Sequence, residues 1–274
     1  MSWTEVIAAP AVATAVAGAR LVRRIEHRAT VGSTQDEAFA LDADGGVLVI
    51  ADRQRAGRGR HGRGWQDGPA IGASLSASIV VADRPAALGA VPLAVGLAAL
   101  DAARAAIAGG AAAATLALRW PNDVLIGAPV GSKCAGVLVE RRRRDDGSAV
   151  LVVGIGIDVD WRADPTGAGR GWTSLAEAAR SDVDRVALVA TLVSALDARL
   201  GLDATAVVAA HRAVSASLGR DVTVTGPDGT RVHGRAHAIA DDGALMVEVD
   251  GELRAVRVGD VRAPDDGRAG GLDD

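Results

Sequence analysis

The sequence predicts an α+β protein: a mixed β-sheet with flanking helices, followed by a small β-barrel of SH3-like size. Two observations carry that reading. Up to residue 217, strand-like runs of Val, Leu and Ile are interleaved with apolar helical stretches, and 274 residues suffice for one large domain plus a small one. From Asp221 to Val261 the helical stretches stop, and Val-rich runs are broken by Pro227-Asp228-Gly229, Asp241-Asp242-Gly243 and Asp250-Gly251. That turn chemistry divides about forty residues into four short strands. The expected organisation is a lead-in over 1–19, a large domain over 20–217, a small β domain over 218–264 and a Gly/Asp-rich, disordered tail over 265–274.

Met1 to Ala19 is Ala/Val-rich with no basic segment before its apolar part, so it reads as an N-terminal helix or a poorly ordered lead-in, not a signal peptide. Ile25–Val31 is expected as a strand. Ser33-Thr34-Gln35-Asp36-Glu37 then shows a capping-box pattern, Thr34 standing three residues before Glu37, and opens a helix to about Leu41. Val47–Asp52 is a short apolar strand. Gln54–Gly68 is dominated by Gly and Arg and lacks periodicity, which marks a loop. Ile71–Val81 alternates as a long strand, and Pro85–Ala108 is a long apolar helix. Strands follow near Thr115–Trp120, Lys133–Arg142 and Val150–Asp158, the last two joined by an Asp145-Asp146-Gly147 hairpin turn. Helices are expected over Ser174–Arg180, Arg185–Leu200 and Ala204–Ser217.

Composition narrows the function. A formal net charge of −4 argues against a dedicated nucleic-acid binder. A single cysteine rules out an internal disulfide and a Cys-based metal site, and it fits a reducing cytosol. No apolar run reaches the roughly 18 residues a membrane-spanning helix needs, so the expected location is cytoplasmic. His27, His211, His233 and His237 lack metal-ligand spacing, and no metal site is assigned.

The chain carries one lysine, Lys133, against 29 arginines, and one asparagine, Asn122. A lysine kept in such a background suggests a need for a compact ammonium with three rotatable donors, although composition alone could leave one behind. Gly57-Arg58-Gly59-Arg60-His61-Gly62-Arg63-Gly64-Trp65 combines backbone freedom with forked donors suited to phosphate or carboxylate. An RG-type nucleic-acid segment and a solvated loop compete with that reading, and a P-loop is excluded because its motif is absent. Arg119-Trp120-Pro121-Asn122-Asp123 presents Asn122 and Asp123 at a strand end, where ordinary turn chemistry is the alternative. Gly154-Ile155-Gly156-Ile157 places two glycines on one strand face, which leaves room for a flat ligand or a neighbouring backbone. Arg141-Arg142-Arg143-Arg144 reads as a solvated hairpin end.

These motifs, in this order, resemble the biotin protein ligases over roughly residues 20 to 262. The resemblance rests on Ser33-Thr34-Gln35, Gln54 to Arg60, Gly62 to Trp65, Arg119 to Asp123, Lys133 to Val137 and Gly154 to Ile157. It implies a class II synthetase-like ligase domain with an SH3-like C-terminal domain. It also implies a reaction in which biotin and ATP, with Mg²⁺, form biotinyl-5'-AMP. Biotin then passes to a lysine of a biotin carboxyl carrier protein domain of a biotin-dependent carboxylase. The family alternative is a lipoate or octanoate protein ligase or transferase. The short segment before the first strand implies a form without the DNA-binding domain some relatives carry, hence no nucleic-acid partner, and either a monomer or a homodimer.

By resemblance Lys133, Arg58, Arg60 and Asp123 are catalytic, Asp123 helping to position or deprotonate the incoming amine. Ser33, Thr34, Gln35, Gln54, Gly59, Gly136 and Val137 join Arg58, Arg60 and Lys133 at biotin. Gly57, Arg63, Trp65 and Asn122 join the same three cations at the adenylate. Four positions depart from the family pattern: Gln35 for Asn, Arg119 for Lys, Asp158 for Asn and Ala135 for Gly.

Overall fold

The computed structural model describes residues 1–41, 46–84, 87–108, 110–164 and 171–264. The expected disordered tail over 265–274 lies outside the described residues, as does Pro85. The large sheet has seven strands in the order β1-β2-β3-β7-β6-β5-β4: β1 Arg24–Arg28, β2 Val47–Ala51, β3 Ser74–Ala82, β4 Ala117–Arg119, β5 Asp123–Ile126, β6 Ser132–Arg143 and β7 Ala149–Asp158. Only β1 and β2 pair in parallel; the neighbours from β2 to β4 are antiparallel. The sheet is therefore mixed, as expected.

One sheet face is apolar because strand residues alternate. Leu75, Ala77 and Ile79 of β3 and Leu151, Val153, Ile155 and Ile157 of β7 enter one core with helices α4 (Ala90–Ala106) and α7 (Arg185–Leu200). Most positions of α4 are buried, which is why its sequence is apolar on nearly every side. On the other face, α3 (Thr34–Ala40) packs Ala38 against Val47, Val49, Val80, Val150 and Val152. The remainder of that face carries small and polar residues and forms the cavity described below.

The lead-in is structured as two helices, α1 (Trp3–Ile7) and α2 (Pro10–Gly18). A Ser2–Glu5 capping box starts α1, Trp3 is 1% exposed, and the Arg185 guanidinium lies 4.8 Å from its ring centroid. The backbone N–H groups of Arg20 and Leu21 donate to Asp197 on α7. The segment is part of the core because its apolar residues face α7.

Several local expectations shift. The N-cap of α3 is Ser33, whose hydroxyl accepts from Gln35 N–H, so the Thr34–Glu37 capping box does not form; the Thr34 hydroxyl is drawn into the cavity network instead. The first strand ends at Arg28, and Val31 makes only an isolated bridge to Gln54. The third starts at Ser74, with Ile71 exposed in the preceding turn. The Pro-Asn-Asp segment is a hairpin turn into β5, a strand the sequence reading did not separate. The Gly/Arg segment is not irregular: Trp65 N–H donates to Gly57 O at 2.9 Å and Gly59 N–H to Arg63 O at 2.7 Å, closing a narrow hairpin around a 3-10 turn at Arg60–Gly62. Arg141 pairs with Asp83, and Arg142 with Asp36 and Glu140, so the arginine run is not simply a solvated hairpin end.

Helices α5 (Ala111–Ala114), α6 (Leu175–Ala179) and α8 (Ala204–Ala213) complete the large domain. The C-terminal sheet holds five antiparallel strands, one more than expected, in the order β11-β10-β9-β8-β12. They are β8 Asp221–Thr225, β9 Arg231–Ile239, β10 Leu245–Val249, β11 Glu252–Val256 and β12 Asp260–Arg262. Trp120 fastens this sheet to the large one: its indole N–H donates to Gly243 O at 2.9 Å. Among the described residues no helix is long and apolar enough to cross a membrane.

Candidate active site

A cavity of about 220 Å³ lies on the polar part of the large sheet. Its floor follows from register. Ser76 of β3 stands opposite Gly156 of β7, which stands opposite Gly136 of β6, which stands opposite Asp123 of β5. Ser78 faces Gly154 in the next row. Two side chains use the space these glycines leave. A Cβ on Gly156 would lie well inside contact distance of the Trp65 indole ring, and one on Gly154 would lie 3.1 Å from Gln35 Nε2. The Gly-x-Gly run thus serves close packing of Trp65 and Gln35 around the cavity.

One end of the cavity is polar and uncharged, except for a carboxylate behind it. Gln54 Oε1 accepts from the Thr34 N–H at 2.9 Å and the Thr34 hydroxyl at 3.0 Å, and Thr34 Oγ1 lies 2.8 Å from Ser78 Oγ. Gln54 Nε2 donates to Ser76 Oγ at 3.2 Å, and Ser76 Oγ donates to Asp67 Oδ1 at 2.5 Å. The Gln54 carboxamide is thus engaged at both ends and holds Thr34 and Ser76 in place. Gln35 is different. It is 4% exposed, and neither carboxamide atom has a partner among the described residues. A buried amide left so costs about 1–3 kcal/mol per unsatisfied group, which a ligand with its own donor and acceptor can offset.

The other end is cationic. Lys133 Nζ lies 2.7 Å from Asp123 Oδ1 and 5.8 Å from the Trp65 ring centroid. Arg119 Nη2 reaches the other oxygen of Asp123 at 2.9 Å. Burial raises the Asp123 carboxyl, but Lys133 and Arg119 outweigh it and bring it down to about 2. Asn122 shows why an amide stands there. Its Nδ2 donates to Val137 O at 3.0 Å while its Oδ1 accepts from Arg60 at 3.1 Å, and a carboxylate could not make the first bond. Burial pushes the Arg60 guanidinium down, opposed by Asp260 and Asp123. Arg58 is forked onto Asp36 at 2.8 and 2.9 Å and also reaches Glu140. Its pKa is raised, chiefly by the Asp36 hydrogen bond. Cys134, buried beside Lys133, has its thiol pushed up by burial and is unreactive as a thiolate.

Ser33, Thr34, Gln35, Gln54, Arg58, Gly59, Arg60, Arg63, Trp65, Asn122, Lys133, Gly136 and Val137 all line this cavity. Gly57 and Asp123 do not. Gly57 lets the Trp65 backbone approach, since a Cβ there would meet Trp65 O at 2.6 Å. Asp123 sits behind Lys133. The sequence reading missed Ser76, Ala77, Ser78, Leu138 and Ile155 in the lining; the alternation Ser74-x-Ser76-x-Ser78 was the available signal for the two serines. It also missed the carboxylates that engage the cations, because Glu140 and Asp260 are distant in sequence. Among the described residues no group of three His, Cys, Asp or Glu side chains could hold a metal ion.

Compared with known proteins, residues 22–160 match the Biotin/lipoate A/B protein ligase family and residues 217–262 the Biotin protein ligase C terminal domain. A biotin–[acetyl-CoA-carboxylase] ligase of Mycobacterium tuberculosis is 37% identical over 250 residues, covering 87% of this chain and 88% of the relative. The bifunctional ligase/repressor BirA of Bacillus spizizenii is 30% identical over 248 residues, covering 86% of this chain and 72% of that protein. The biotin protein ligase of Aquifex aeolicus, solved in complex with biotin and ATP, superposes with a TM-score of 0.71 over 87% of this chain and 98% of that one. At 24% identity it speaks for the fold. A match across half of the chain, together with relatives at least 30% identical and covered over more than two thirds of their length, establishes that the chain belongs to the Biotin/lipoate A/B protein ligase family.

Proposed function

We propose that this chain is an ATP-dependent biotin protein ligase, which forms biotinyl-5'-AMP and transfers biotin to a lysine of a carrier protein in the cytoplasm. The observation that carries the choice of biotin over lipoate or octanoate is the polar end of the cavity. Ser33, Thr34, Ser76, Ser78 and the unpartnered Gln35 carboxamide gather there. A ureido ring supplies a donor and a carbonyl that match the Gln35 carboxamide, whereas an alkyl or dithiolane tail would leave that carboxamide unsatisfied.

With the ring at that end, the valerate carboxylate extends toward Lys133. The first step joins a carboxylate oxygen to the α-phosphorus of ATP and releases pyrophosphate. Two anions must meet for this, so cations must gather them and stabilise the charge that develops. Lys133 has three ammonium donors; with one on Asp123 Oδ1, the others remain for the carboxylate and the acyl phosphate. Arg58, Gly59 and Arg60 fold over the adenylate, with Arg63 anchoring the loop and Trp65 walling the site. In the second step the carrier amine bonds to the acyl carbon as the acyl–phosphate bond breaks and AMP leaves. A carboxyl held near 2 and bonded by two cations has negligible affinity for an ammonium proton. Asp123, which holds Lys133 at 2.7 Å, is assigned the role of orienting it in preference to that of the base. Mg²⁺ enters with ATP as part of that substrate.

The test is biotin-dependent exchange of labelled pyrophosphate into ATP by pure protein with Mg²⁺. Exchange with biotin, and its absence with lipoate or octanoate, is the expected result; no exchange with biotin refutes the assignment.

A further inference from the structure

The tip of the Gly/Arg loop is held by the C-terminal domain. Arg60 Nη1 lies 3.1 Å from Gly259 O and 3.3 Å from Asp260 Oδ1. Arg63 Nη2 lies 2.8 Å from Asp260 Oδ2, and His61 Nε2 lies 3.9 Å from Oδ1. Three neighbouring loop side chains converge on one carboxylate. They can do so because His61 and Gly62 take left-handed conformations, φ 56° and 76°. At His61 that conformation is unfavourable for a residue with a Cβ, and Asp260 adds an outside hold to the hairpin's own backbone hydrogen bonds. Asp260 itself is fixed, since it opens β12, which pairs with β8. By contrast Arg58 is engaged by Asp36 and Glu140 within the large domain. The tip alone depends on the other domain.

We infer that Asp260 is a positioning residue for the ligase reaction: its carboxylate clamps the Arg60–Arg63 turn over the cavity and keeps the acyl-adenylate from water until an amine arrives. This rests on the ligase reading above. The mixed anhydride has two fates. An amine nitrogen or a water oxygen can bond to the acyl carbon. In either case the acyl–phosphate C–O bond breaks, its electron pair leaves with AMP, and a proton passes to solvent. The clamp sets the ratio between them. Arg60 is 15% exposed and spans from Asn122 to β12, so losing Asp260 leaves its guanidinium with Asn122 and the Gly259 carbonyl. The turn then opens to solvent.

The test uses the full chain with Asp260→Asn, which keeps side-chain size, together with Asp260→Ala, Asp260→Glu and Arg63→Ala. The measurements are AMP released without carrier, pyrophosphate exchange, AMP formed per carrier modified, and thermal melting. The Asn and Ala variants are expected to raise carrier-independent AMP release relative to exchange by about three- to tenfold, the joint effect of two part-exposed ion pairs. Asp260→Glu restores part of the coupling. Arg63→Ala shifts it the same way and adds little to Asp260→Ala. If Asp260→Ala fails to fold, Asp260→Asn and Arg63→Ala decide. Wild-type coupling in variants that melt normally overturns the inference. A wild-type protein without biotin-dependent exchange instead overturns the ligase reading, and this inference with it.

Discussion

Replacing Lys133 by Arg keeps the charge and removes the shape. The Lys133 ammonium is boxed in: Asp123 Oδ1 stands 2.7 Å away, and a Cβ on Gly136 would stand 2.9 Å from it. A planar guanidinium at the end of a different stem cannot keep the Asp123 contact and also clear the β6 backbone and the Trp65 ring. Its charge centre must move, and a shift of about 1 Å at a reacting group costs on the order of a hundredfold in rate, or about 2.7 kcal/mol. Stability should change little, because Asp123 keeps Arg119 at 2.9 Å and the substituted residue remains a cation. The assay is biotin-dependent pyrophosphate exchange at saturating ATP and biotin, with thermal melting in parallel. Exchange within about threefold of wild type would refute the argument that the site needs an ammonium. Lys133→Met, which removes the charge as well, should cost about 10²–10³.

Asp123→Asn separates the two roles considered for that carboxylate. As the residue that orients Lys133, its loss slows adenylation itself; wild-type pyrophosphate exchange with failure only in transfer would restore the base role. Its folded pKa of about 2 lies below the usual value near 3.9. The pair therefore contributes stability above about pH 4, on the order of 2 kcal/mol at most, and that contribution is lost as pH falls through about 2. Acid titration of wild type against Asp123→Asn reads the difference. Gly156→Ala pushes a methyl into the Trp65 ring and should cost about 1–3 kcal/mol. Gly136→Ala meets mainly the flexible end of Lys133 and should melt close to wild type while losing adenylation; equal melting temperatures for the two contradict the placement of the ring. His211 is 1% exposed, and burial lowers its pKa to about 4. Its folded pKa lies below the unfolded one near 6.5, so stability is full above about 6.5 and falls by up to about 3 kcal/mol toward pH 4. His211→Leu should flatten that slope in denaturant titrations between those pH values.

Much of the architecture was legible because it rests on local chemistry. The Asp-Gly turn between β6 and β7, the apolar α4 and the short Val-rich strands of the small domain announce themselves within a few residues. Thr34 misled as an N-cap because Ser33 offered the same chemistry one position earlier, and only the network with Gln54 and Ser78 shows which hydroxyl was needed elsewhere. Strand β5 was hidden because Asp123–Ile126 is four residues long and directly follows the turn. The cavity residues were found where the motif is compact, around Ser33, Arg58, Asn122 and Lys133. Ser76 and Ser78 passed as ordinary strand residues, since their role appears only when β3 is set beside the glycines of β7.

By itself the sequence determined which groups could do the chemistry: a solitary lysine ammonium, forked cations on a glycine-rich loop, and the carboxamides of Gln35, Gln54 and the solitary Asn122, each able to donate and accept. These are properties of residue types, fixed before any folding. The tertiary structure alone decided how they are held. Sheet register set Gly136 and Gly156 beneath Trp65. Close packing gave Lys133 its partner in Asp123, and docking of the second domain gave Arg60 and Arg63 theirs in Asp260. Partners separated by up to 200 residues are chosen by three-dimensional proximity, and no local pattern along the chain encodes that.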